Sequence, residues 1–300
     1  MTDQILTPNA HSWRNSGTFV RYKDHNIFAK TEGTGPTLLL IHGYPTCSYD
    51  WHRVWPLLAP HFRLVAVDLL GMGLSDKPKD FAYRIADHAD LQEWVITSLG
   101  LDQVNLVAHD LGVSIAQEML ARRRGGGNLV PIDSVIFING GVFPEVYQAR
   151  FILRLLSSSL GKLIGTRMSR DKFKQSLDPL FGPEFKPAED LLNDLWGMVC
   201  LNDGLQVTHV ISRFWKERLA LRERLAAPVL ECQVPMRFIN GLLDPNSGRH
   251  MADRYRQLVP HSDIVGLETV GHWPQLEVPK IVAASILMSF GWATDSYATP

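Results

Sequence analysis

Short, continuous apolar runs punctuate this 300-residue chain, and each ends in a polar or glycine-rich turn. Thr37-Leu38-Leu39-Leu40-Ile41 leads into His42-Gly43-Tyr44-Pro45. Phe62-Arg63-Leu64-Val65-Ala66-Val67 leads into Asp68-Leu69-Leu70-Gly71-Met72-Gly73-Leu74-Ser75. Asn105-Leu106-Val107-Ala108 leads into His109-Asp110, and Val135-Ile136-Phe137-Ile138-Asn139 into Gly140-Gly141. Runs of this kind are strands buried on both faces. Two further strands, Thr18 to Tyr22 and Asn26 to Lys30, precede them. Two more, Val234 to Ile239 and Asp263 to Leu267, come late in the chain. Helical patterns fill the gaps at Tyr49 to Leu58, Arg84 to Leu99, from Gly112 onward, Arg249 to Leu258 and Pro279 to Phe290. In the second of these, Ile85, Leu91, Val95, Ile96 and Leu99 share a face. Strands alternating with helices predict a mostly parallel sheet covered on both sides. From Val142 to about Ala227 the pattern becomes Leu, Phe, Arg and Trp-rich and wholly helical. The chain therefore divides into a first core part (1–141), a helical insertion (142–227) and a second core part (228–300).

Composition narrows the picture modestly. The chain is 45% hydrophobic and 20% charged, within the range of soluble globular proteins. A formal net charge of −1 gives no ground for a nucleic-acid or anionic-membrane partner. Arg122-Arg123-Arg124 before Gly125-Gly126-Gly127 suits a helix C-terminus and its stop. The three cysteines, Cys47, Cys200 and Cys232, lack metal-type spacing and read as reduced thiols in a cytoplasm. Residues 1–17 hold no apolar signal-peptide core, and the apolar stretch from Ile281 to Phe290 is too short to span a bilayer. Residues 293–300 read as a frayed tail. The pattern calls for no cofactor and no metal. The expected partners are a small apolar substrate and water, and a homodimer is left open.

Ligands of such sheets bind at the carboxyl ends of the strands. Four of those ends carry His42-Gly43, Asp110, Asp244 and His272. Around Asp110, small residues at Ala108 and Gly112 fit a tight strand-to-helix turn, the nucleophile elbow, with Asp where Ser usually stands. Read alone, Asp110 fits a helix N-cap equally well. Asp244 read alone fits a turn before Pro245, and His272 a surface loop. Together the three follow the chain order nucleophile, acid, histidine. A carboxylate nucleophile implies displacement at carbon and an alkyl-enzyme ester. His272, oriented by Asp244, would then activate a water against that ester. The N–H groups of Tyr44 and Leu111 are the candidate oxyanion hole. His42 reads as structural, Ser114 as an ordinary helix residue, and Asp68 and Ser75 as braces of the turn at Gly71 to Gly73.

These motifs resemble the epoxide hydrolase and haloalkane dehalogenase branch of the α/β-hydrolases. The resemblance rests on His42-Gly43-Tyr44-Pro45, Asp68-x-x-Gly71-x-Gly73-x-Ser75, His109-Asp110-x-Gly112 and Gly271-His272-Trp273-Pro274-Gln275-x-Glu277-x-Pro279. Pro45-Thr46-x-Ser48-Tyr49-Asp50-Trp51, Asn139-Gly140-Gly141-x-Phe143-Pro144-Glu145, Phe181-Gly182-Pro183 and Asn202-Asp203-Gly204 further resemble the mesoderm-specific transcript group. The resemblance implies an α/β-hydrolase fold: an eight-stranded, mostly parallel sheet with an inserted helical cap. It also implies a cis Tyr44–Pro45 bond. Two departures bear on substrate. The Trp and Asn that usually hold a halide are Leu111 and Tyr44 here. Of the two cap tyrosines that usually polarise an epoxide, the region 142–227 contains only Tyr147, with His209 a substitute acid. The expected activity is opening of epoxides to vicinal diols. The alternatives are an ester or lactone hydrolase or a haloalkane dehalogenase on the same fold, or a catalytically silent binding protein.

Overall fold

The computed structural model describes residues 6–292 except 125, 127, 128 and 233. The start of the N-terminal segment, the glycine stop at Gly125 and Gly127, and the tail at 293–300 lie outside the described residues. The strands are β1 (Thr18–Tyr22), β2 (His25–Glu32), β3 (Thr37–Ile41), β4 (Arg63–Val67), β5 (Val104–His109), β6 (Ile132–Ile138), β7 (Met236–Gly241) and β8 (Asp263–Leu267). They form one sheet in the order β1-β2-β4-β3-β5-β6-β7-β8. Pairs β1–β2 and β2–β4 are antiparallel, and all others are parallel.

Period-two alternation sends each central strand's side chains to two separate cores. Leu39, Ile41, Val65, Val67, Leu106 and Ala108 pack on one face. Leu38, Leu40, Leu64, Ala66, Val107 and Ile138 pack on the other. All six residues of β5 are buried. Three of them are Val104, Leu106 and Val107, and each fully buried Leu or Val contributes roughly 1.5–3 kcal/mol by leaving water, so Asp110 follows a strand with no exposed residue.

The helices before the insertion are α1 (Pro8–Asn15), α2 (Trp55–Leu58), α3 (Ile85–Ser98) and α4 (Leu111–Arg124). The helix expected over Tyr49 to Leu58 is instead a 3₁₀ turn, Ser48–Trp51, followed by the short α2. Pro56 has no N–H to continue a helix through. The arginines closing α4 also clamp α3: Arg122 reaches Asp90 at 2.8 Å and Arg123 reaches Glu93 at 2.6 Å.

Between β6 and β7 the described residues form helices and no strands. They are α5 (Phe151–Leu156), α6 (Gly161–Thr166), α7 (Arg170–Leu177), α8 (Glu189–Cys200), α9 (Thr208–Ile211), α10 (Phe214–Ala220) and α11 (Arg222–Leu230). Asp194 on α8 fastens this segment to the sheet side of the molecule, accepting hydrogen bonds from Tyr49 Oη at 2.9 Å and from Thr7 Oγ1. The chain closes with α12 (Arg249–Leu258), α13 (Pro274–Glu277) and α14 (Pro279–Met288). Pro279 marks the start of α14, so the closing helix begins where the sequence pattern places it. Among the described residues no helix is long and apolar enough to cross a membrane.

Candidate active site

Asp110 sits between β5 and α4 with φ 51°, a left-handed conformation rarely adopted by a residue with a side chain. Such a residue costs on the order of 1–3 kcal/mol unless its surroundings enforce it. Two glycines do so by allowing close approach. A Cβ on Gly112 would lie 2.3 Å from Ile41 O, and one on Gly43 would lie 2.4 Å from Asp110 Cβ. Both positions exclude any larger residue. The Asp110 carboxylate does not cap α4. Among the described residues, Oδ1 accepts the Tyr44 N–H at 3.1 Å and no helix amide reaches either oxygen. The Leu111 N–H, at the start of α4, is given no acceptor by the protein among the described residues. The Tyr44–Pro45 bond is cis.

His272 faces the other oxygen. Its Nε2 lies 3.6 Å from Asp110 Oδ2, beyond a direct hydrogen bond. On its far side, Nδ1 lies 2.8 Å from Asp244 Oδ2. Asp244 follows β7 and is fully saturated. Oδ2 also accepts Asn139 Nδ2 at 2.9 Å and Ser247 Oγ at 2.6 Å, and Oδ1 accepts Asn246 N at 2.8 Å. Burial alone would raise the Asp244 pKa. The charge and hydrogen bond of His272, with Ser247 and Asn246, outweigh burial and hold it well below the usual carboxylate range. Burial alone would lower the His272 pKa, but Asp244, Asp110 and Asp50 together raise it above its ordinary value.

The His272 loop is held from several sides. Its own N–H donates to Leu180 O at 2.6 Å, and its carbonyl lies 2.8 Å from His109 Nε2. Burial pushes the His109 pKa down, so the ring is neutral and donates to that carbonyl. Glu277 accepts the N–H groups of Gly271, Trp273 and Gly182. Trp273 Nε1 donates to buried Asp50 at 3.3 Å.

His42 holds the neighbouring loop, with Nδ1 2.9 Å from Gly43 O and Nε2 accepting Leu69 N at 2.9 Å. Asp68 accepts Ser48 N and Leu74 N, and Ser75 Oγ donates to Asp68 O, so both brace the glycine turn. Ser114 is more than an ordinary helix residue. Arg218 of α10, wholly buried, donates to Ser114 Oγ at 2.6 Å and to the Asp110 carbonyl at 3.2 Å. Its guanidinium also lies over the rings of Tyr147 and Phe214, at 4.8 and 5.0 Å. One side chain thus ties the helical segment to the turn that carries Asp110.

A cavity of about 750 Å³, its open mouth included, lies over Asp110 and His272. Leu153, Leu156, Phe173, Leu177 and Phe214 make most of it apolar, while Tyr44, Tyr147 and Arg150 add polar groups. The Tyr44 hydroxyl is committed to Thr208 O at 3.3 Å. The Tyr147 hydroxyl makes no hydrogen bond among the described residues, and burial raises its pKa, so it stays protonated. His209 does not line the cavity; its Cβ packs against Gly161. The arrangement therefore brings Asp110, Asp244, His272, Tyr44 and Leu111 together and adds Tyr147, but leaves His209 outside. Among the described residues, no group of three His, Cys, Asp or Glu side chains is placed to hold a metal.

A family described as "alpha/beta hydrolase fold" matches residues 36–279. The chain is 35% identical over 286 residues to the mesoderm-specific transcript protein of Mus musculus, covering 91% of this chain and 85% of that protein. It is 32% identical over 284 residues to the putative hydrolase LipZ of Mycobacterium tuberculosis, covering 94% and 98%. Among solved structures, haloalkane dehalogenase DbeA from Bradyrhizobium elkani superposes with a TM-score of 0.78 at 21% identity, over 92% of this chain and 97% of that one.

Proposed function

The chain belongs to the alpha/beta hydrolase fold family and is a hydrolase, and from that premise we propose that it opens epoxides to vicinal diols with Asp110 as nucleophile. The observation that carries the reading is the split use of one carboxylate: Oδ1 rests on the Tyr44 N–H while Oδ2 faces His272 across 3.6 Å. Oδ2 attacks an epoxide carbon. The ring C–O bond breaks, its electron pair goes to oxygen, and Tyr147 delivers a proton there, which an alkoxide leaving group requires. The product is a hydroxyalkyl ester of Asp110.

His272 Nε2 then takes a proton from water, and the hydroxide adds to Asp110 Cγ. Negative charge develops on Oδ1, where the Tyr44 N–H already sits and the Leu111 N–H is unspent. Collapse breaks the Cγ–Oδ2 bond, His272 protonates the departing diol oxygen, and the proton left on Asp110 returns to the Tyr147 oxygen. Alkylation also removes the Asp110 charge, one of the groups that raise the His272 pKa. The imidazole therefore becomes more readily neutral at the step that needs a base.

A halide leaving group would find no side-chain N–H at Leu111 or Tyr44, which disfavours dehalogenation. The test is His272→Gln with styrene oxide, read by intact-protein mass spectrometry. An adduct of one substrate mass should accumulate, and should vanish in the double variant with Asp110→Asn. Absence of any adduct while the wild type forms diol would remove the ester from the scheme. Turnover of esters but not epoxides would move the assignment to an ester or lactone hydrolase.

A further inference from the structure

Arg150 has no carboxylate partner, although its guanidinium is half-buried beside the cavity. Among the described residues it forms no ion pair, and its one hydrogen bond is from Nη1 to Ser176 O. Drawing a guanidinium even partly out of water is costly, and an anion beside it offsets that cost. Asp244, whose field reaches Arg150, is already saturated by His272, Asn139, Ser247 and Asn246.

Arg150, Ile152, Met168 and Ser176 line both the cavity and a second, outer groove of about 1330 Å³, the open space above it included. They therefore stand at the passage between the two. The groove's other charged residues are Arg167 and Lys172, neither ion-paired among the described residues, and no Asp or Glu lines it. Phe151 and Leu163 expose apolar surface alongside, at 78% and 49% of their areas. Asp110 belongs to the inner cavity only. The cavity thus holds a carboxylate at Asp110 and, on the side it shares with the groove, cations without ion-pair partners, with apolar residues making most of the remaining wall.

We propose that the site takes amphiphiles whose apolar chain lies along the cavity and whose far end carries a carboxylate, and that Arg150 is the residue that reads this anion. The proposal rests on the assignment of this cavity as the active site and adds the polarity of the substrate. A carboxylate suits the guanidinium, whose N–H fork can meet two oxygens at once.

The test uses ligands that cannot react, so it does not depend on the epoxide chemistry. Binding of dodecanoate and 1-dodecanol to the full-length protein is compared by calorimetry at pH 7.5. The wild type should bind dodecanoate at least about tenfold more tightly, as a charge-assisted contact warrants. Added salt should weaken dodecanoate alone. Arg150→Gln should bind the two equally, the larger loss falling on dodecanoate, and Arg150→Lys should keep part of the preference. Equal affinities in the wild type, or a preference surviving Arg150→Gln, overturn the proposal; the wild-type comparison decides even without a stable variant. Turnover of 11,12-epoxydodecanoate and its methyl ester separates the two readings. Equal turnover of both overturns the anion assignment and leaves epoxide opening standing. Neither turned over, with dodecanoate still preferred, removes epoxide opening and leaves the anion site.

Discussion

Replacing Asp244 with Asn would separate the two halves of the reaction. The carboxylate accepts four hydrogen bonds, from His272, Asn139, Ser247 and Asn246, all between 2.6 and 2.9 Å. An amide has one acceptor oxygen. Placed at Oδ2 it keeps three of these bonds and turns its NH₂ against the Asn246 N–H. Placed at Oδ1 it turns the NH₂ against three donors. The first orientation wins and leaves the Asn246 N–H and the new NH₂ facing each other without acceptors, at about 1–3 kcal/mol of stability for each unmet group. Nδ1–H of His272 is still accepted, but the imidazolium formed when water gives up its proton loses its counter-charge. Ester hydrolysis should slow by about 10²–10⁴, the usual worth of a positioned base. Attack by Asp110 does not use His272 and should proceed.

Stopped-flow traces with intact-mass detection should then show a normal ester burst followed by a stalled second step. The pH dependence supplies a second readout. In the wild type, hydrolysis should rise as His272 deprotonates, at a pKa raised chiefly by Asp244 against the downward pull of burial; in Asp244→Asn that limb should move to lower pH. The stability difference has its own window. Asp244, depressed, contributes above its unfolded value near 4, and His272, raised, contributes fully below its unfolded value near 6.5. The variant should therefore lose most stability between about pH 4 and 6.5, with part of the loss persisting until His272 deprotonates. Equal slowing of ester formation and hydrolysis, or a loss under about tenfold, would refute the assignment of His272 to the second step.

Two further outcomes follow from individual contacts. Tyr147→Phe should slow ester formation by about 10²-fold or more while leaving cleavage of the formed ester unchanged, because Tyr147 takes its proton back only after the ester has broken; single-turnover kinetics on a strained aryl epoxide would resolve the two phases. Asp50→Asn should flatten the pH dependence of stability. Burial raises the Asp50 carboxyl to about 7, so its proton-bound contribution is complete below about pH 4 and is lost as pH rises to about 7, worth on the order of 2–4 kcal/mol. Urea unfolding at pH 5 and pH 8 should therefore favour the variant more at the higher pH, and a pH-independent difference would show that Asp50 is ionised in the fold.

The central sheet was legible because β3 to β6 announce themselves as unbroken apolar runs, and their ends are where chemistry collects. The order Asp110, Asp244, His272 was readable for the same reason. The braces were not. Asn139, Ser247 and Asn246 meet Asp244 only after β6 and β7 pair, and Glu277 reaches the His272 loop through a fold of the chain. Arg218 reads as one more basic helix residue until α10 lies on the turn at Asp110. Arg150 and His209 show the limit most plainly. Helical periodicity says which residues share a face, but not which face meets the cavity, so the sequence points to His209 and not to Arg150. The two alternatives for Asp110 were likewise separable only by its φ and by the Tyr44 N–H.

The most direct measurement is a single turnover of an epoxide in ¹⁸O-labelled water, followed by mass analysis of both products. With Asp110 as nucleophile, the water oxygen enters the Asp110 carboxylate and the first diol released carries none. Label in the first diol, with Asp110 unlabelled, would mean that water attacks the epoxide directly and that the ester never forms.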